Sequence, residues 1–195
     1  HSRRPKTTFT FAGSMGHVNG LDLLLDAFTD HAHGYEDSIL NMVGDGPKRG
    51  ELERLVRTRG LEDRVRFKGW VPFEQVPAQI AASDWTVAVV DDLPDVFRYG
   101  ISYVKMPEYM AAGRPLLLAA NTSDDLVRLS GGGISVLPNK EALAKAFTTA
   151  ALSTAEERQA MAMKGRDYVL TNLTYEALAE ELMQSLDRLY DGVAR

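Results

Sequence analysis

The chain contains no cysteine. That excludes disulfide staples, thiolate metal ligands and a cysteine nucleophile, and it fits a reducing compartment. No apolar run is long enough to span a bilayer and no signal peptide is visible, so the expected location is the cytoplasm. A broad basic face is missing too: 22 Lys and Arg stand against 27 Asp and Glu, a formal net charge of -5. Nucleic-acid binders take their affinity largely from neutralised phosphates, so that class is set aside. The one basic run, Arg3-Arg4-Pro5-Lys6, lies at a terminus and reads as a solvated arm, a tag or linker remnant covering residues 1–6. The chain opens on His1 rather than Met, and is expected to be a fragment of a longer protein.

A length of 195 residues suffices for one sizeable core with an appended helical tail. Along the chain, strand-like and helix-like segments alternate. Thr7 to Ala12 is β-rich and stops at Gly13, and Leu21, Leu24, Leu25 and Phe28 then form an i, i+3, i+4, i+7 stripe. Strands are expected at 38–43, 65–67, 85–90, 116–119 and 133–137. Helices are expected from Pro47, over 73–82, after the loop at Gly100, and over 140–151, 154–170 and 174–189. This alternation predicts a parallel Rossmann-like α/β sheet with helices on both faces and right-handed crossovers. The core is expected over residues 7–138 and the helical tail over 139–195. In such sheets a ligand sits outside the carboxyl ends of the strands, where the loops at Gly13, Gly44, Gly69, Asp91 and Gly100 all fall.

The most informative stretch is residues 100–115, G-I-S-Y-V-K-M-P-E-Y-M-A-A-G-R-P. Pro107 falls in the first helical turn, and Gly113 marks the stop. A loop running into a helix N-terminus presents N–H groups and the positive end of the dipole, a seat for phosphate. Lys105 and Glu108 share a face. The Lys can neutralise phosphate, and the Glu can accept from sugar or ribose hydroxyls. Their bland alternative is a solvated ion pair on a surface helix.

Gly13-Ser14-Met15-Gly16-His17-Val18-Asn19-Gly20 is a Gly-rich strand-to-helix loop, without the G-x-G-x-x-G or P-loop signature. Gly44-Asp45-Gly46-Pro47 reads as a tight turn with Asp45 capping a helix whose first residue is Pro47. Asp91, Asp92 and Asp95 read as a solvated loop rather than a magnesium site. His31 and His33 lack further ligands at metal spacing, so no metal site is expected.

Four segments in order carry a resemblance: F-A-G-S-M-G-H-V-N-G-L-D-L-L-L-D-A-F, N-M-V-G-D-G-P-K-R-G-E-L-E, D-R-V-R-F-K-G-W-V-P and the 100–115 stretch. Together they resemble the carboxyl-terminal half of glycosyltransferase family 4, from Phe9 to about Leu189. The resemblance implies one half of a GT-B fold, in which two Rossmann-like domains face each other. It implies a retaining hexosyltransferase that needs no metal or other cofactor and takes a UDP- or GDP-linked sugar as substrate. The acceptor would be met by an amino-terminal domain toward which the 174–189 helix crosses. The full-length enzyme would lie in the cytoplasm or at the inner face of the membrane.

Carried over by position, the resemblance places Gly13, Ser14, Met15 and Gly16 beneath the diphosphate, with Gly44 on the same crevice. Gly69, Trp70 and Val71 would meet the base, and Glu108 the ribose. Lys105, with Arg98 and the Gly100-Ile101-Ser102 loop, would face the diphosphate, and Lys105 and Glu108 are the expected catalytic pair. Three positions depart from the family pattern. Gly100 stands at the first Glu of E-x7-E, Ser14 and Asn19 stand at an Arg and a Lys of the first loop, and Tyr103 stands at a Pro. Other readings stay open: an interaction module with a degenerate donor site, and a sugar-nucleotide epimerase of the same architecture.

Overall fold

The computed structural model describes residues 6–91 and 105–193. Among these, one parallel sheet is built from β1 (Thr7–Ala12), β2 (Ser38–Val43), β3 (Val65–Gly69), β4 (Trp85–Val89), β5 (Leu116–Ala119) and β6 (Gly133–Val136). The strand order is β3-β2-β1-β4-β5-β6. Every pairing is parallel. The chain therefore moves outward from β1 to β3, returns to the other side of β1 at β4, and moves outward again. The reversal leaves a crevice between the carboxyl ends of β1 and β4, the topological switch point of a doubly wound sheet.

The helices are α1 (Leu21–Gly34), α2 (Arg49–Thr58), α3 (Val76–Ala81), α4 (Lys105–Ala111), α5 (Leu126–Ser130), α6 (Lys140–Leu152), α7 (Ala155–Asn172) and α8 (Tyr175–Val193). They cover both faces, which is why β4 and β5 are buried at every residue and read as continuous apolar runs. Alternate residues still serve opposite layers. Val87, Val89, Leu117 and Ala119 join Phe9 and Phe11 in the layer under α1, α2 and α6. Ala88, Val90, Leu116 and Leu118 join Met106, Tyr109 and Met110 in the layer under α3, α4 and α7.

Three local features differ from the sequence expectation. The 73–82 helix is split into a 3-10 turn at Phe73–Gln75 and α3. Pro77 lacks the N–H that a continuous helix would need and crowds the residue before it, so the α-helical run starts beside it. Pro47 is not the first residue of α2, which begins at Arg49, and Asp45 accepts from the Gly46 N–H at 2.7 Å rather than capping that helix. The short α5 was not expected. Asp125 caps it, accepting from the N–H groups of Val127 and Arg128, and Gly131 closes it at φ 69°.

Helix α6 packs along α1 and inserts Phe147 into the core. Phe147 meets Phe9 edge-on at 4.8 Å and Phe28 at 5.4 Å between ring centroids. Helix α7 packs on α4. Helix α8 touches α7 and leaves Leu178, Leu182, Leu186 and Leu189 exposed along one side.

His31 is part of this core rather than of any metal site. Its Nε2 lies 2.8 Å from Ser38 Oγ and its Nδ1 3.0 Å from Thr148 Oγ1. Its ring stacks on Tyr35 and Phe147. Burial, and secondarily the charge of Arg64, push its pKa down to about 4. The folded protein thus refuses a proton that the unfolded chain accepts below about 6.5. Stability is full above that pH and declines as the pH falls from about 6.5 toward 4. Urea titrations should find the protein about 2–3 kcal/mol less stable at pH 4.5 than at pH 7 from this group. A His31→Gln variant should lose that share of the pH dependence, and an unchanged slope would refute the assignment.

Candidate functional site

The crevice is shaped by glycines that let two loops touch. A Cβ on Gly44 would lie 2.0 Å from the carbonyl oxygen of Gly13, so the loop after β2 can lie on the loop after β1 only because Gly44 has no side chain. The backbone closes the contact. The Gly13 N–H donates to Val43 O (2.9 Å), the Met15 N–H to Asp45 O (2.8 Å), and the Lys48 N–H to Met15 O (3.0 Å). Gly44 in turn donates to Gly69 O at 2.8 Å, tying in the end of β3.

These bonds divide the expected loop residues. Gly13 and Met15 use their N–H groups inside the fold, and the Met15 side chain is fully buried in the core. The N–H groups of Ser14 and Gly16 have no bond within the described residues, and Ser14 is exposed. They are the donors this loop can offer to an anion.

On the β2–β3 side of the loop opens a cleft of about 380 Å³, lined by Ser14, Gly44, Asp45, Trp70, Val71 and Phe73 among others. Trp70 and Phe73 are large aromatics left mostly exposed, at 72% and 68%. Exposure of that extent on two neighbouring rings suits a planar ring stacked against them. Asp45 stays ionised at the rim. The Gly46 N–H, and then the Arg49 guanidinium at 2.8 Å, hold its carboxyl below the usual carboxylate range.

On the other side of the loop stands α4. Its placement depends on Tyr109, which is fully buried. The Tyr109 hydroxyl accepts from the Ala12 N–H at 2.7 Å and donates to the Ala12 carbonyl. Burial pushes its pKa well above the ordinary phenol value. The hydroxyl is a permanent donor there, and it satisfies both backbone groups at the last residue of β1.

With α4 so fixed, Lys105 reaches the Gly13 loop. Its Nζ donates to Asn19 Oδ1, stands 4.9 Å above the Phe11 ring, and lies 3.7 Å from where a Cβ on Gly13 would be. Burial pulls its pKa down to about 8. Asn19 is itself buried, and its Nδ2 donates to Ser14 O at 2.8 Å. Lys105 and Glu108 do not form the ion pair that their spacing allowed. The half-buried Glu108 carboxylate has no hydrogen-bond or ion-pair partner among the described residues.

The structure thus brings Gly13, Ser14, Gly16, Gly44, Gly69, Trp70, Val71 and Lys105 to one crevice. Arg98, Gly100, Ile101 and Ser102 lie outside the described residues, as do Asp92, Asp95 and Tyr103. Sequence reasoning missed Tyr109 and Phe73 and treated Asn19 only as a departure. The aromatic pair flanking Val71-Pro72 was the available signal for Phe73. A tether such as Asn19 leaves none, since its partner is far along the chain.

The geometry agrees with comparisons to known proteins. Residues 6–153 match the family model for glycosyl transferases group 1. An alpha-D-kanosaminyltransferase of Streptomyces kanamyceticus is 30% identical over 129 residues, covering 66% of this chain and 32% of that protein. A GDP-mannose-dependent alpha-(1-6)-phosphatidylinositol monomannoside mannosyltransferase of Mycolicibacterium smegmatis is 27% identical over 178 residues, covering 86% and 44%. The chain thus spans less than half the length of either relative. A structure of Anabaena HepE in complex with UDP superposes with a TM-score of 0.77 at 18% identity, covering 94% of this chain and 49% of that one. The chain belongs to the group 1 glycosyltransferases and has the Rossmann-like α/β fold of one half of a GT-B enzyme.

Proposed function

We propose that this chain is the donor-binding half of a retaining, metal-independent glycosyltransferase that moves a hexosyl group from a UDP- or GDP-linked sugar. The observation that carries the reading is the placement of Lys105 Nζ against the Gly13 loop at the switch point, tethered by Asn19. Breaking the bond between the sugar and the diphosphate leaves negative charge on the departing group. A fixed cation and the N–H groups of Ser14 and Gly16 would stabilise that charge where it develops. Glu108 would hold the ribose hydroxyls and the Trp70–Phe73 cleft the base. That the solved HepE neighbour binds UDP supports a nucleotide of this class.

The acceptor, a glycan, a lipid-linked saccharide or a small molecule, would be met by a second domain. The exposed leucines of α8 suit burial against that domain. No helix among the described residues is long and apolar enough to cross a membrane.

Calorimetric titration of the folded chain with UDP and GDP tests the site, and no binding by either at millimolar concentration would defeat it. Glu108→Ala should weaken the better nucleotide by about 1–3 kcal/mol through a lost hydroxyl contact to a charged acceptor. An unaltered affinity would return Glu108 to the solvated surface.

The pH dependence tests Lys105. Its ammonium form attracts the diphosphate, and with a pKa of about 8 that form is lost as the pH rises through 8. Affinity should therefore fall between pH 7 and pH 9.5 by roughly tenfold, counting one lost charge-assisted hydrogen bond. Lys105→Gln should bind more weakly at pH 7 and show no such fall. Parallel profiles for the two proteins would exclude the role.

A further inference from the structure

The donor reading leaves one acidic group at the crevice without a task. Asp91 follows β4 directly, across the switch point from the loop that follows β1. It is half-buried, and its carboxylate has no hydrogen-bond or ion-pair partner among the described residues. It packs on the Asn19–Gly20 turn: a Cβ on Gly20 would come within 3.1 Å of Asp91 Oδ1 and 2.5 Å of Val89 Cγ1. Gly20 also sits at φ +54°, so the turn accepts no side chain there on two counts. The residue before it, Asn19, holds Lys105. The Asp91 carboxylate and the Lys105 ammonium thus flank the same two-residue turn, one against Gly20 and the other on Asn19.

The chemistry narrows what Asp91 can serve. An ionised carboxylate only accepts hydrogen bonds, and it repels a diphosphate. Its ligand must bring O–H or N–H donors and no negative charge of its own. The layout of the crevice narrows it further. The aromatic cleft lies at the ends of β2 and β3, the Ser14 and Gly16 N–H groups lie after β1, and Asp91 lies after β4. Neighbouring strands are about 4.8 Å apart, so the cleft and Asp91 are separated by roughly 10–14 Å, with the loop donors between them. A nucleotide sugar is laid out in the same sequence: a planar base, a ribosyl diphosphate, then a neutral polyhydroxyl ring.

Resting on the donor-site reading above, we propose that Asp91 accepts a hydrogen bond from a hydroxyl of the donor's sugar ring and so discriminates among nucleotide sugars. It would supply a carboxylate at the sugar end of the proposed site. Asp91 is a specificity-determining residue here and takes no proton and forms no bond in the transfer.

The test compares each nucleotide sugar with its own diphosphate on the 195-residue chain, using UDP-glucose with UDP and GDP-mannose with GDP. The pair that binds more tightly is carried forward. Asp91→Asn should weaken the nucleotide sugar about tenfold, the scale of a lost hydrogen bond to a charged group, and leave the bare diphosphate unchanged or slightly tighter. Nucleotide sugars with single ring hydroxyls replaced by fluorine give a second readout, whose wild-type arm needs no variant to fold. One position should cost wild-type protein about the same factor and cost Asp91→Asn nothing. Equal weakening of diphosphate and nucleotide sugar, or a fluorine series on which the two proteins agree, overturns the proposal while leaving the donor site standing. Failure of both nucleotides to bind the folded wild-type chain removes the donor site and this inference with it.

Discussion

The crevice depends on the pair of hydrogen bonds between the Tyr109 hydroxyl and the two backbone groups of Ala12. Ala12 is where β1 leaves the sheet, and its buried N–H and carbonyl need partners there. A phenol hydroxyl can serve both at once, donating to one and accepting from the other. In doing so it fixes α4 against the end of β1, although the two elements are almost a hundred residues apart. The loop after β1 and the first turn of α4 then face each other at the switch point. Every later feature of the site, from the Lys105–Asn19 tether to the half-buried, unpartnered Glu108 carboxylate, follows from that docking.

A first loop without Arg or Lys still has a cation beside it. Ser14 and Asn19 stand where a cationic loop would place its charges. Asn19 instead lies buried, with its amide spanning the Ser14 carbonyl and the Lys105 ammonium. The positive charge reaches the loop from α4. The arrangement places that charge on one largely buried group, and burial is what lowers its pKa. An arriving diphosphate would relieve the penalty and draw the proton back. On the proposed donor reading, charge neutralisation and ligand binding would thereby be coupled at the Lys105 nitrogen.

Much of this was legible in the sequence because it rests on local signals. The alternation of apolar runs with amphipathic stripes, punctuated by Gly, predicted the parallel α/β sheet and most element boundaries. Gly13, Gly44 and Gly69 were legible as loop positions because their backbones must approach one another. Other features escaped for physical reasons. Helix α5 is too short to display a period, and only its Asp125 and Gly131 ends betray it. Pro77 interrupts 73–82 through backbone sterics that a hydrophobic pattern does not register. Asn19 and Tyr109 act through partners distant in sequence, so their residue types alone carry no signal. The i, i+3 spacing of Lys105 and Glu108 suggested a pair, yet the Phe11 face and Asn19 draw the Lys away and leave the Glu open.

The order of groups across the sheet also sets a direction. Aromatic rings lie at the β2–β3 end, donors and a cation at β1, and an unpaired carboxylate at β4. A nucleotide sugar bound in reverse would set its diphosphate no nearer the cation, and would bring its polar sugar against Trp70 and Phe73. Its base, which carries no hydroxyl and only N–H donors, would face Asp91 in place of the polyhydroxyl ring. On the proposed donor reading, the forward orientation would satisfy every group, because each part of the ligand would meet chemistry of its own kind. Sheet topology would then set the orientation. The reversal at β1 and β4 puts the Lys105 side of the crevice centrally, and the two outward windings provide two chemically different flanks.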